Sequence, residues 1–399
     1  MSRWKDKYVI GLTGNIAVGK SVVRQMLQHL GAYTIDADGL THRAMSPGAP
    51  AYQPIVDTFG QFILDGEKKI NRALLGNIVF SQPAALTKLE SIVHPIVGQA
   101  ISALVSRATQ QVVVIEAIKL LEGQFADAVD AIWVVNATPD TQVKRLVEKR
   151  KLSEADARLR VNAQNAQTDK LTKATVVIDN DGNVEETWKQ VQAAWIKAMK
   201  TMQGGAAASA PAAPAAPAKP APTAPSAQAG PSAVGEVTVR RGMPNNAEAI
   251  AAFVNRATGK TINRMDIMMA FGNKSYLIAQ DQQDNIHALV GWQVENLITR
   301  VDEFYVGDRV QPEAVVSSLV EAIELASKDL QSEVGFIFLP LNTPQSTIDT
   351  FVKSGYSQTT VDQIKIPAWR ESAQEIISQK PESQILTKRL REDRVLKPI

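Results

Sequence analysis

The chain has 399 residues, more than one ordinary core accommodates, and reads as two domains of about 150–200 residues each. Its 43 basic and 41 acidic side chains leave a net charge of +2, so no strong field draws it to nucleic acid or to a membrane surface. The absence of cysteine excludes disulfides, cysteine-ligated zinc and thiol catalysis. No apolar run long enough to span a bilayer is expected. The first strand begins too early to leave room for a leader, so a cytoplasmic location is the expectation.

The first apolar run, Tyr8–Thr13, reads as a buried strand. It runs into Gly14-Asn15-Ile16-Ala17-Val18-Gly19-Lys20-Ser21 and then an amphipathic stretch, Val22–Leu30. Strand, glycine-bounded loop and helix in that order make a P-loop, whose backbone N–H groups and helix N-terminus suit a nucleotide phosphate. Lys20 would supply charge to the β- and γ-phosphates. Ser21 would offer its hydroxyl to a Mg²⁺ that arrives with ATP.

Further strands are expected at Tyr33–Ile35, Val112–Glu116, Ala131–Asn136 and Val176–Ile178, with amphipathic stretches between them. That alternation predicts an α/β fold, a parallel sheet with helices on both faces and ligands at the strands' carboxyl ends. Asp36 and Asp38 fall at such an end. They would share a site, binding Mg²⁺ or taking a proton from an attacking hydroxyl, or else cap a helix over Gly39–Met45. Glu116 ends the third strand where an acid of Walker-B type would stand, or is a surface residue. Pro139 opens a basic helix in which Arg145 and Lys149 share a face, followed by Arg158, Arg160 and Gln164. These would form a lid over transferring phosphate or a solvated charged face.

Between Gln203 and Val234, 14 of 32 residues are alanine and 7 are proline. Proline at that density blocks helix and favours an extended tether. Domains are expected over 1–202, the tether over 203–234, a second domain over 235–385 and a basic tail over 386–399. The tail reads as a solvated helix end or an irregular terminus.

The second domain reads as strand Val237–Arg240, helix Ala247–Ala257, a second helix, and a hairpin of Ser275–Gln280 with Ala288–Val294. Strand Phe304–Val306, helix Glu313–Leu330, strand Val334–Leu339 and helix Ser346–Lys353 follow.

With these residues in place, the first domain resembles the dephospho-CoA kinases. The match starts at Ile10-Gly11-Leu12-Thr13-Gly14 and continues through Ile35-Asp36-Ala37-Asp38, Ile70-Asn71-Arg72-Ala73-Leu74 and Val93-His94-Pro95. It runs on through Glu116–Glu122, Arg145-Leu146 and Val177–Gly182. The resemblance implies transfer of the ATP γ-phosphoryl to the ribose 3′-hydroxyl of dephospho-CoA. It implies Asp38 as general base, Arg145 as lid arginine, and Thr13, residues Gly14–Ser21 and Lys20 at the phosphates. Asp36, Arg72, His94 and Glu116 would lie toward the acceptor. Three departures stand out: Asn15 and Ala17 where many relatives have glycine, Ile118-Lys119 in place of a proline-leucine run, and Asn165-Ala166 after Gln164. Asn tolerates positive φ better than most residues, so the two P-loop departures are expected to tune the loop rather than disable it.

The second domain, through its element order and Phe351–Tyr356, resembles the GNAT acetyltransferase fold. The glycine turn that would grip an acyl-CoA pyrophosphate is replaced by Val306-Gly307-Asp308-Arg309-Val310-Gln311-Pro312. An accessory module that binds an acyl-CoA or a protein partner is expected, with Glu303 and Tyr356 as core or surface residues rather than catalysts. A nucleotide-binding scaffold and another small-molecule kinase remain open as alternatives.

Overall fold

The computed structural model describes residues 4, 6–118, 120–122, 126–164, 167–207, 237–307, 312–393 and 395. Lys119, Asn165, Ala166, Arg394, most of the expected tether and the loop over 308–311 lie outside the described residues.

Strands β1 (Tyr8–Thr13), β2 (Tyr33–Asp36), β3 (Val112–Glu116), β4 (Ala131–Asn136) and β5 (Val176–Asp179) form a parallel sheet in the order β2-β3-β1-β4-β5. Val9, Ile10 and Leu12 are all buried, so both sheet faces are covered and the strand reads as a continuous apolar run. Helices α1 (Lys20–His29), α2 (Ala37–Ala44), α3 (Tyr52–Phe59), α4 (Arg72–Ser81) and α5 (Pro83–Arg107) precede or follow the first two strands. The half continues with α6 (Pro139–Arg150), α7 (Glu154–Asn162), α8 (Gln167–Thr172) and α9 (Val184–Ala207). Helix α9 carries through Gln203, so the expected start of the tether is still helical.

Helix α5 is long and apolar enough to cross a membrane by length and composition, contrary to the expectation of no such run. Its face bearing Val93, Val97, Ile101, Leu104 and Val105 is buried in the core.

The second half is built on a seven-stranded sheet in the order β11-β12-β10-β9-β8-β7-β6. Its strands are β6 (Thr238–Gly242), β7 (Ser275–Gln280), β8 (Ile286–Glu295), β9 (Ile298–Val306), β10 (Val334–Pro340), β11 (Ser357–Thr359) and β12 (Ser383–Arg389). Neighbours are antiparallel except β9 with β10, which run parallel. Helices α10 (Ala247–Thr258), α11 (Arg264–Ala270), α12 (Pro312–Asp329), α13 (Gln345–Lys353) and α14 (Pro367–Gln379) pack on it. The element order expected of a GNAT-like unit is kept.

The basic tail needs correction. Thr387, Lys388 and Arg389 belong to β12, an interior strand between β10 and β11. Lys388 tolerates that place because Glu324 of α12 accepts from its Nζ at 2.6 Å.

The two sheets do not stand apart. One cluster of buried apolar side chains runs from Val9, Tyr33 and Leu104 of the first half to Leu297, Leu330 and Ile337 of the second. Gln331 Nε2 donates to the Leu104 carbonyl at 2.8 Å, and Gln25 Nε2 donates to Ser275 Oγ at 3.1 Å.

Candidate active site

The P-loop leaves β1 at Gly14 and enters α1 at Gly19, which has φ 96°. A side chain at Gly19 would also collide with the Asn180 amide. Between them the positive φ belongs to Ala17, at 58°, and not to Asn15. Asn15 instead accepts at Oδ1 from Lys170 Nζ at 2.8 Å, so its side chain anchors the loop to α8. The backbone N–H groups of Asn15 and Ile16 donate to Gln167 Oε1 at 3.1 Å and to Gln164 Oε1 at 2.8 Å. These amide oxygens stand on donors of the kind that take phosphate oxygens.

Arg145 reaches the same loop from α6. Its guanidinium donates to the Ala17 and Val18 carbonyls at 3.2 and 3.0 Å and to the Asn180 carbonyl at 2.5 Å. Asn180 ties back to Val18 O at 2.7 Å and accepts from Thr187 at 2.7 Å. The rest of the expected basic lid stays at the surface. Lys149 and Arg160 are exposed, and Arg158 pairs with Glu154 and Asp140.

Lys20 begins α1, is buried, and donates to the Asn15 carbonyl at 3.3 Å. Burial lowers its pKa, against the opposing fields of Glu116, Asp38 and Asp36. Ser21 follows on the exposed side of the same turn.

The two aspartates divide their labour. Asp36 caps α2, accepting from the Gly39 N–H at 2.8 Å. Asp38, within the first turn, accepts from the Ile118 N–H at 3.2 Å. Burial raises the Asp38 pKa, with the Asp36 charge adding to it and the Ile118 N–H opposing it. Thr13 is fully buried and donates to the Ile118 carbonyl at 3.1 Å. Its hydroxyl therefore holds the loop that holds Asp38, rather than pointing at phosphate as the resemblance implied.

Glu116 is buried and paired with Arg24 of α1 at 2.6 Å. Burial works against the Arg24 charge, but Glu116, Asp36 and Glu295 outweigh it and hold the guanidinium above its ordinary pKa. Arg72 opens α4 and lines a cavity together with His42 of α2. His94 lies on the exposed face of α5, unlike the buried Lys20 and Glu116. Gln167 and Lys170 escaped the sequence reading, because they act through an amide and an ammonium that no short motif marks, and Ile118 and Asn180 entered it only as motif positions without a role.

The second half enters this site. Strands β8 and β9 join through Asn296 and Leu297, with φ of 50° and 64°, a two-residue turn with both central residues left-handed. The Asn296 carbonyl accepts from Arg43 of α2, and the Asn296 amide lies so close to Gly39 that a side chain there would collide with it.

Glu303 and Tyr356 both make contacts within the second half. Glu303 binds Lys274 Nζ at 3.0 Å, and Lys274 is shared with Asp302 at 2.7 Å. Tyr356 is buried edge-on against Phe351.

A family model described as dephospho-CoA kinase matches residues 8–186. A dephospho-CoA kinase of Geobacter metallireducens is 45% identical over 190 residues, which cover 47% of this chain and 94% of that protein. The solved dephospho-CoA kinase from Campylobacter jejuni is 26% identical with a TM-score of 0.36, covering 50% of this chain and 99% of that one. A GNAT-family acetyltransferase from Staphylococcus aureus Mu50 is 11% identical with a TM-score of 0.31, covering 39% of this chain and 100% of that one. Nearly the whole length of the Geobacter relative is matched within the first half. Through that half, the chain belongs to the dephospho-CoA kinase family.

Proposed function

We propose that this chain transfers the γ-phosphoryl group of ATP to the ribose 3′-hydroxyl of dephospho-CoA, giving coenzyme A and ADP. The observation that carries this reading is the placing of Lys20, on the P-loop, and Asp38, on α2, in each other's electrostatic field at the carboxyl end of one parallel sheet. The donor-side cation and the acceptor-side carboxylate thus feel each other's charge.

The 3′-oxygen forms a bond to the γ-phosphorus as the bond to the β–γ bridging oxygen breaks. The hydroxyl proton passes to Asp38, and ADP leaves with the bridging oxygen. Lys20 and the P-loop N–H groups bind the phosphates, and Arg145 fixes the loop's carbonyls so that those N–H groups stay aimed. Asp38 suits the base role because burial raises its pKa toward neutrality, while the Ile118 N–H keeps the carboxylate oriented.

The residues present fit Mg²⁺. The Ser21 hydroxyl is exposed in the first turn of α1, and the fields of Glu116, Asp38 and Asp36 reach its neighbour Lys20. Ser21 would hold the ion as it arrives with the nucleotide, and the ion would supply positive charge at the phosphate oxygens.

The test is turnover by the purified full chain with ATP, Mg²⁺ and dephospho-CoA, following coenzyme A and ADP together. Stoichiometric formation of both is expected. ATP hydrolysis without coenzyme A, or no reaction, overturns the reading.

A further inference from the structure

A cavity of about 370 Å³, within the size range of small-ligand sites, lies between the two halves. The kinase half contributes His42 and Arg72 to its wall, and the second half contributes Arg300 from β9 with Ser372 and Glu375 from α14.

The cavity adjoins the catalytic carboxylate. His42 lies four residues after Asp38 on α2, so the two share a helix face about 6 Å apart along its axis. The fields of Asp36, Asp38 and Arg72 all reach His42.

The acceptor has three chemical parts. Its ribose hydroxyl must reach Asp38. Its diphosphate follows the 5′ carbon of the same ribose, a few bonds away. Beyond the diphosphate runs an arm with two amides, a hydroxyl and a terminal thiol. The wall nearest Asp38 holds His42 and Arg72, and Arg72 has no carboxylate partner among the described residues. That is a place for the diphosphate.

On the second half's wall the character changes. Arg300 is buried and donates to Glu375 at 2.7 Å, and it also pairs with Glu295. A wall of compensated donors and acceptors does not select for net charge. It does suit a neutral chain whose amides need both an acceptor and a donor.

We propose that this cavity is the binding site for the acceptor's amide-bearing arm, so that the second half supplies one wall of the kinase's acceptor site. The inference rests on the kinase reading above. It assigns the second half a role in recognising the acceptor that needs no chemistry of its own.

Steady-state kinetics of the full chain test it. Ser372→Trp puts an indole into the cavity from α14, away from the P-loop. The KM for dephospho-CoA is expected to rise at least tenfold, with the KM for ATP and the kcat at saturating acceptor within about twofold of the parent. Glu371→Trp, at an exposed neighbouring position lining the same cavity, gives a second blocking variant should Ser372→Trp fail to fold. A folded variant whose KM for dephospho-CoA stays within twofold overturns the inference while leaving the kinase reading intact. A parent protein that does not phosphorylate dephospho-CoA overturns the kinase reading, and this inference with it.

Discussion

Arg43 and Glu333, 290 residues apart in the chain, form a buried ion pair at 2.9 Å that joins α2 of the kinase half to the start of β10. Their side chains are 6% and 1% exposed, so neither charge is solvated if its partner is lost. Arg43→Ala should therefore destabilise the protein by about 3–5 kcal/mol. Arg43→Met with Glu333→Leu should recover most of that, because apolar side chains remove the stranded charge along with the bond. Urea denaturation followed by tryptophan fluorescence measures both. Because the apolar core crosses from one half to the other, the parent should unfold in one transition, and a separate early melting of either half would count against that coupling.

The P-loop carries a cost at Ala17. A left-handed backbone on an L-residue costs roughly 1–2 kcal/mol, and glycine escapes it at the expense of more unfolded-chain entropy. Ala17→Gly should raise stability by about 0.5–1 kcal/mol without moving the KM for ATP. A loss of stability in the same denaturation experiment would mean that the loop's φ of 58° is not the strained feature.

His29 ends the helix that the P-loop opens, and its Nε2 lies 3.0 Å from the Phe271 carbonyl in the second half. Burial pushes its pKa down to about 4. In the unfolded chain it titrates near 6.5, so below that pH the unfolded state binds a proton that the folded state refuses. Stability from this group is complete above pH 6.5 and is lost as pH falls toward 4, by about 3 kcal/mol in all. His29→Gln should flatten that part of the stability profile between pH 7 and 4. An equally steep fall in the variant assigns the slope to other groups.

The strands at the kinase end were legible because nothing competes with their pattern. β1, β3 and β4 are unbroken apolar runs, and each is buried on both faces. β9 was read from Phe304 although it begins at Ile298, because Arg300, Asp302 and Glu303 break the apolar run. Their partners Glu375, Lys274 and Lys380 lie on other elements, so the compensation that lets a strand carry them is a tertiary property. β12 was hidden for the same reason, its Lys388 neutralised from α12. In the candidate site, motif spacing picked out Lys20, Asp38 and Arg145 because the P-loop and strand-end patterns are local in sequence. It did not show that the Thr13 hydroxyl turns to the Ile118 carbonyl or that the positive φ falls on Ala17, since both depend on what a backbone group meets across the fold.

Lys20 and Asp38 should fail in different ways. Lys20→Ala removes the buried ammonium at the P-loop and should abolish detectable turnover with the fold preserved. Asp38→Asn keeps the shape and loses the base, so kcat should fall by about 10²–10⁴ with the KM for ATP within about threefold. Initial-rate kinetics with each substrate varied separate the two. Near-parental kcat in Asp38→Asn would remove it from the base role.

The Ile118 N–H gives a handle on that base without touching it. It donates to Asp38 Oδ2, a bond made to the charged carboxylate, and so it holds the pKa below where burial alone would set it. Ile118→Pro deletes this donor, since proline has no N–H. The Asp38 pKa should then rise. A base works when deprotonated, so kcat falls as pH drops through that pKa, and in the variant the fall should begin at higher pH. At alkaline pH, where both carboxylates are ionised, the two proteins should converge to within a few-fold. Ile118→Val keeps the N–H and should keep the parental profile, which separates the hydrogen bond from the packing of the side chain. The measurement is kcat against pH with both substrates saturating, and an acid limb that stays in place in Ile118→Pro would show that Asp38 does not set it.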